Sequence, residues 1–381
     1  MEGNKVNLLF IVNSLGVGGA EKHVVTLVNN LDVSRFKLSL AYLKDESELL
    51  QQLDRDRIDG REFCCHVSKK IDMQAVQKLA SHIRENVIDV IVCTNAFSLL
   101  YGWMARILSG HRPRLAVVFH TTELGSMKDR LQMLFYRPIF WTSDMLVYVC
   151  ENQKKHWRTR ALWARHATVI HNGIDVDFFH DKYSNEAKIS LRKIYGFSGN
   201  DYVIGICAFL RPEKAHSDLL QAIAILRNNG ENVKCLIIGD GPQRSEIEDK
   251  IGRLGLKQHV SITGLLNDVR PAIAACSVMA LVSHNVETFS IAALESMALG
   301  KAMVMTEIGG ASEQISHEIN GYLYTRGDIT ALAKALHQLM ELEHRTTIGT
   351  RARSKVSNHF SLSGMVQSYD RLFLRMAKDH A

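Results

Sequence analysis

Short runs that are apolar at nearly every position recur along the chain, separated by stretches with helical spacing. Before residue 172 they are VNLLFIV (6–12), KLSLAYL (37–43), VIDVIVCT (87–94), LAVVFHT (115–121), MLVYVC (145–150) and ATVIH (167–171). After it come VIGICAFL (203–210), VKCLIIG (233–239), VSITG (260–264), VMALVS (278–283), AMVMT (302–306) and GYLY (321–324). Such runs suit strands covered by helices on both faces, and amphipathic stretches such as 73–86, 217–228 and 329–342 supply those helices. The rhythm pauses once, between about 171 and 202, in a polar segment holding Asn-Gly, Ser-Gly and Gly-Asn pairs. The expected architecture is therefore α/β, with two Rossmann-like doubly wound parallel-sheet domains over 1–175 and 176–360. A final helical segment, 361–381, has no strand after it. Ligands of such sheets sit at the carboxyl ends of the strands.

Length and composition agree with this reading. The chain has 381 residues, enough for two domains, and its 46 % hydrophobic, 23 % charged make-up with 5 Pro excludes a disordered or collagen-like chain. Seven cysteines without a C-x-x-C pair are expected to be reduced and buried, as in a cytoplasmic protein. No apolar run is long enough for a membrane span, and the start of the chain lacks the pattern of a signal peptide. The net charge is +6, and the excess lies almost wholly in the first half, where 23 Lys and Arg face 18 Asp and Glu up to residue 175. Its densest part is Lys154, Lys155, Arg158, Arg160 and Arg165, interleaved with Trp157 and Trp163. That mixture suggests peripheral contact with an anionic membrane, and a solvated helix face is the plainer alternative. No nucleic-acid module accompanies the charge.

Candidate chemistry concentrates in VETFSIAALESMALG, where Glu287 and Glu295 are eight residues apart around an expected helix start. The amides of Thr288, Phe289 and Ser290 would face an anionic phosphate there, and Glu295 would accept from two adjacent ribose hydroxyls. Glu287 would hold hydroxyls of a sugar beyond the diphosphate, although an acidic first turn on a helix dipole needs no ligand. Arg211 and Lys214 follow an expected strand and can neutralise a diphosphate; a surface pair with Glu213 is the alternative. The loop NSLGVGGAEKH places Gly16, Gly18 and Gly19 between a strand and a helix, where the backbone can approach a phosphate. It lacks the third glycine and the acidic partner of a dinucleotide fingerprint. Gly239, Asp240 and Gly241 form a similar turn, and His120 ends a strand where it can meet a sugar hydroxyl. The D-x-D pairs at Asp54 to Asp56 and Asp175 to Asp177 do not follow strands, so no metal site is expected; Glu318 and Asp328 show no partner.

Together these residues resemble family 4 of the retaining glycosyltransferases, whose GT-B architecture has two Rossmann-like domains facing a cleft. The resemblance rests on GGAE (18–21), VIHNGID (169–175), RPEK (211–214), IIGDGP (237–242), TGLLNDV (263–269) and the E-x(7)-E segment ending at Glu295. It implies a nucleotide-sugar donor on the second domain and an acceptor on the first. By that resemblance Glu295 holds the ribose, Glu287 the donor sugar, and Arg211 and Lys214 the diphosphate, while the 264–267 turn with Leu265 lies near the base. Gly18 and Gly19 approach the diphosphate, His120 lies near the transferred sugar, and the last helix returns to the first domain. Members use no cofactor beyond the donor, generally without metal, and UDP-linked hexoses or hexosamines are the commonest donors, GDP-mannose next.

The sequence departs from the family at two places. Phe209 stands where members often carry an Arg five positions before the Lys, and Thr288 and Ser290 replace two glycines, offering hydroxyls to a phosphate. The expected reaction is retaining hexosyl or hexosaminyl transfer to a glycan or lipid-linked acceptor of polysaccharide assembly, at the inner face of the cell membrane. The leaving diphosphate itself would help deprotonate the acceptor. A non-hydrolysing nucleotide-sugar epimerase and a non-catalytic GT-B binding protein are the alternatives; epimer formation without acceptor marks the first, and absence of transfer and hydrolysis the second.

Overall fold

The computed structural model describes residues 5–122, 124, 127–285 and 287–378. The chain divides into two compact units, Met1–Asn172 with Ser363–Ala381, and Gly173–Leu362. The first runs β1 (Val6–Val12), α1 (Gly19–Asn30), β2 (Phe36–Tyr42), β3 (Glu62–Cys64), α2 (Met73–Glu85), β4 (Val90–Thr94) and α3 (Asn95–Ser109). It continues with β5 (Arg114–Phe119), α4 (Met127–Trp141), β6 (Met145–Tyr148), α5 (Glu151–Arg158) and β7 (His166–Val169). The second runs α6 (Asn185–Ile194), β8 (Tyr202–Cys207), α7 (His216–Asn228), β9 (Val233–Ile238), α8 (Arg244–Arg253), β10 (Val260–Ile262) and α9 (Arg270–Ala275). Then follow β11 (Val278–Leu281), α10 (Ile291–Ala298), β12 (Ala302–Thr306), α11 (Ala311–Gln314), β13 (Tyr322–Tyr324), α12 (Ile329–Gln338) and α13 (Leu342–His359), after which α14 (Leu362–Lys378) is counted, from Ser363 on, with the first unit.

Every named strand pairing is parallel. The first sheet has the order β3-β2-β1-β4-β5-β6-β7 and the second β10-β9-β8-β11-β12-β13. Central strands such as β4 and β12 are buried at every position, because helices cover both faces. β3 is absent from the apolar pattern: its three residues, Glu-Phe-Cys, form an edge strand too short and polar to register as a run.

The order of each sheet reverses once, between β1 and β4 and between β8 and β11. A doubly wound sheet opens its ligand crevice at that point, beyond the carboxyl ends of the two strands, because the following connections leave in opposite directions. The last helix belongs to the first unit. Phe373 of α14 is fully buried and meets Phe10 and Phe36 edge-on, with ring centres 6.0 and 6.3 Å apart. Asp328, without a partner in the sequence pattern, caps α12 by accepting from the Ala331 amide at 2.8 Å.

Trp157 corrects the reading of a mixed basic and aromatic face on α5. It is 1 % exposed, packs on Phe119, and its indole Nε1 donates to the Thr121 carbonyl at 2.7 Å. The helix turns its tryptophan inward and Lys155 and Arg158 outward, as an amphipathic helix on a sheet must. Among the described residues, no helix is long and apolar enough to cross a membrane.

Candidate functional site

The switch point of the second sheet gathers the strongest pair of candidates. Lys214 lies in the loop after β8 and Glu287 in the loop after β11, and these strands are neighbours. Lys214 Nζ is 2.6 Å from Glu287 Oε2, and the Ser283 hydroxyl donates to the same oxygen at 3.1 Å. Both charged side chains remain partly exposed, so the pair is accessible to a ligand.

Local geometry fixes this pair from several sides. Pro212–Lys214 forms one 3-10 turn, and Ala215 at φ 49° reverses the chain into α7. The His284 amide donates to the Glu213 carbonyl at 2.9 Å, and His284 Nε2 lies 2.6 Å from Asp218 Oδ2. These bonds tie the two loops together. On the far side the Gly310 amide donates to the Thr288 carbonyl at 2.7 Å. Gly309, at φ 55°, presses so closely that a Cβ there would lie 1.8 Å from the Glu287 carbonyl oxygen. Only glycine fits that position.

The helix after Glu287 starts later than its sequence pattern implies. Ser290 is the N-cap of α10: its hydroxyl accepts from the Ala293 amide at 3.2 Å, and its own amide donates to Gln314 Oε1 at 3.3 Å. Ser290 is also 4 % exposed, and its hydroxyl, which accepts from Ala293, keeps only its own proton to offer a phosphate. The first-turn amides that remain for an anion are those of Ile291 and Ala292. Thr288 and Phe289 are buried beside the cap, Phe289 against the ring of Phe360. Glu295 sits on the second turn of α10, 4 % exposed. Val286, the first residue of that motif, lies outside the described residues.

Arg211 and the glycine turn border this arrangement. Arg211 is exposed, and its guanidinium lies over the Phe209 ring at 4.8 Å, so the residue that departs from the family pattern supports the arginine. Gly239, at φ 143°, leaves no room for a Cβ, which would lie 2.2 Å from the Ala208 carbonyl oxygen. The Leu210 amide donates to the Asp240 carbonyl at 2.9 Å, and Gly241 packs on the backbone of Leu210. Gly264 bridges to Gly239, which places the exposed Leu265 beside the glycine turn.

In the first unit, Gly18 and His120 occupy loops at the carboxyl edge of the sheet. Gly18 is the extended N-cap of α1, and Gly19 opens that helix on an exposed surface. The His120 amide donates to Asn95 Oδ1 at 2.9 Å, and Asn95 holds a left-handed φ of 66° at the start of α3. The His120 ring meets that of His23 at 5.0 Å. Burial holds His120 well below the ordinary histidine range, with His23 adding repulsion, and burial alone takes His23 down to about 4. Both imidazoles are neutral near pH 7. Of the D-x-D pairs, Asp175 serves a turn, accepting from the amides of Asp177 and Phe178 at 3.0 and 2.9 Å.

Sequence reasoning missed the residues that position these groups: Ser283, His284 and Asp218 around the ion pair, Gly309 and Gln314 around the helix cap, and His23 and Asn95 around His120. The Gly-Gly pair at 309 and 310 was the single visible signal.

The model for "Glycosyltransferase Family 4" matches residues 17–178 and that for "Glycosyl transferases group 1" residues 187–355. The N-acetyl-alpha-D-glucosaminyl L-malate synthase of Bacillus anthracis is 25 % identical over 313 residues, covering 81 % of this chain and 80 % of its own. The UDP-Gal:alpha-D-GlcNAc-diphosphoundecaprenol alpha-1,3-galactosyltransferase of Escherichia coli is 23 % identical, covering 82 % of each chain. Among solved structures, Anabaena HepE in complex with UDP superposes with a TM-score of 0.86 at 22 % identity, over 97 % of this chain and 100 % of that one. That likeness establishes the fold: the two parallel-sheet domains are those of the GT-B architecture.

Proposed function

Because the chain belongs to the family 4 glycosyltransferases, we propose that it moves a hexose or hexosamine from a nucleoside diphosphate, UDP first, to a glycan or lipid-linked acceptor of polysaccharide assembly, at the inner face of the cell membrane. The single observation that carries the donor site is the Lys214 and Glu287 pair at the switch point of the second sheet. A diphosphate leaving group gains negative charge as the sugar departs, and a cation held in place beforehand stabilises that charge without reorganising. Glu287, itself held by the Ser283 hydroxyl, holds Lys214 in this way, and Arg211 on its Phe209 shelf adds a second cation. The Ile291 and Ala292 amides take phosphate oxygens, and Glu295 accepts from the ribose hydroxyls.

The UDP bound to Anabaena HepE and the UDP-Gal in the name of the E. coli relative support uracil as the base of the donor. In the first unit, neutral His120 has a ring N–H to offer a sugar hydroxyl, and Gly18 and Gly19 present backbone at the carboxyl edge of the sheet. The acceptor oxygen attacks on the face from which the diphosphate leaves, and its proton passes to a diphosphate oxygen. The configuration is thereby retained without a glycosyl-enzyme, no cofactor takes part, and the two cations do the work a metal would do.

Calorimetric titration of UDP and of uridine separates the roles. Glu295→Gln keeps the shape of its buried site but weakens a pair of charge-assisted bonds, so both ligands are expected to bind about tenfold more weakly. Unchanged affinity for both removes Glu295 from the ribose.

A further inference from the structure

Helix α4 is apolar on both sides. Met133, Tyr136, Ile139 and Phe140 face the core, as a helix on a sheet requires. On the outer side Met127, Leu131, Leu134 and Phe135 are 68, 63, 51 and 58 % exposed, at spacings of four, seven and eight residues from the first. A helix bathed only in water would carry polar residues there. Trp141 at its end, 42 % exposed, stacks on the half-exposed Trp163 with ring centres 5.2 Å apart and planes 14° from parallel. The apolar strip thus runs the length of the helix.

Cations border it. Between α4 and α5 lies a pocket of about 480 Å³ whose lining includes Arg130, Arg137, Arg160, His156 and Leu134. Arg137 Nε is shielded from solvent and has no hydrogen-bond partner among the described residues, an unmet donor in a basic pocket. Residues 127–165 hold eight Lys and Arg against three Asp and Glu. One of those acids, Asp144, is engaged by Arg106 and Arg114.

We propose that α4 lies in the plane of an anionic bilayer, its outer apolar side chains in the acyl boundary, with the arginine pocket taking the phosphate of an anionic lipid. An in-plane helix with apolar residues on one side and basic residues beside them sinks ~5–10 Å into the headgroup region. The stacked tryptophans suit the same depth, being apolar bodies with a polar edge. A second copy of the chain is a poorer occupant, since a two-fold interface over this face would set Arg130, Arg137 and Arg160 against their own copies. The idea rests on the lipid-linked acceptor of the proposed function only for its purpose. Met127 follows His120 by seven positions, so α4 begins close in sequence to the strand end that carries His120.

Flotation of the full chain with phosphatidylglycerol-containing and with pure phosphatidylcholine vesicles tests this, alongside calorimetric UDP binding. The chain is expected to float with the anionic vesicles at low salt, less in high salt, and little with neutral ones. Leu131→Glu with Phe135→Glu, both at exposed positions, is expected to weaken vesicle binding at least tenfold, and Arg137→Ala with Arg160→Ala to remove the preference for anionic lipid. UDP affinity stays unchanged in both variants. Failure of the wild-type chain to float while UDP still binds overturns the membrane surface and spares the donor reading. Flotation without UDP binding does the reverse. Floating of the glutamate variant as well as the wild type, or a wild-type dimer that this variant converts to monomers, also overturns the proposal.

Discussion

Lys214→Ala is expected to lower kcat by about 10²–10³-fold, the loss typical of removing one preorganised donor from a developing negative charge. Lys214 is fixed before any ligand arrives: its ammonium is 2.6 Å from Glu287 Oε2, and the loop bearing it is tied to the loop after β11 by the His284 and Glu213 backbone bond. The structural cost is bounded, because Glu287 keeps the Ser283 hydroxyl and remains partly solvated. Lys214→Arg is not a rescue, since a planar fork cannot replace a point charge in a turn closed by Ala215. Turnover with donor and acceptor, measured beside thermal unfolding, checks this; a kcat within about threefold of wild type would remove Lys214 from leaving-group stabilisation.

Acid is expected to destabilise both units through histidines that cannot take up a proton while folded. His23 in the first unit and His216 in the second are 3 % and 1 % exposed, and burial takes each down to about 4, with Lys214 nearby adding to the effect on His216. Both nitrogens of each ring have no hydrogen-bond partner among the described residues. Unfolded, each ring binds a proton near 6.5, so the unfolded state holds more protons between that pH and about 4. Stability is therefore full above pH 6.5 and falls as pH drops toward 4, by roughly 3 kcal/mol for each histidine. His120 adds a contribution of the same sign. His23→Phe keeps the ring contact with Tyr369 and has no site to titrate. Calorimetry at pH 7.5 and pH 5 should show a smaller acid loss in that variant than in the wild type. An equal loss would mean that His23 is not held neutral.

The fold was legible because its physics is written in runs of residues. Sheets covered on both faces need strands such as Val90–Thr94, apolar throughout, and these stand out in any sequence. Elements stabilised by their neighbours did not stand out: β3 has three residues, and the outer apolar side of α4 only acquires meaning once its inner side is seen to be buried. The site was legible as residue types and spacings. Its geometry was not, because Ser283, Asp218, His284 and Gly309 act through contacts between segments far apart in the chain. The same limit hid the cap role of Ser290, whose serine reads equally well as a phosphate ligand or as a helix cap, and the burial of Trp157, whose neighbours in sequence point away from it. Phe209 departs from the family pattern in sequence and yet, as a shelf under Arg211, helps to hold a cation at the site.

A crystal structure of the chain with UDP tests the central claim most directly. The account predicts the diphosphate beyond the carboxyl ends of β8 and β11, within hydrogen-bond reach of Lys214 and the Ile291 and Ala292 amides, and the ribose hydroxyls on Glu295. UDP bound elsewhere on the chain, with the Lys214 and Glu287 pair untouched, would contradict it.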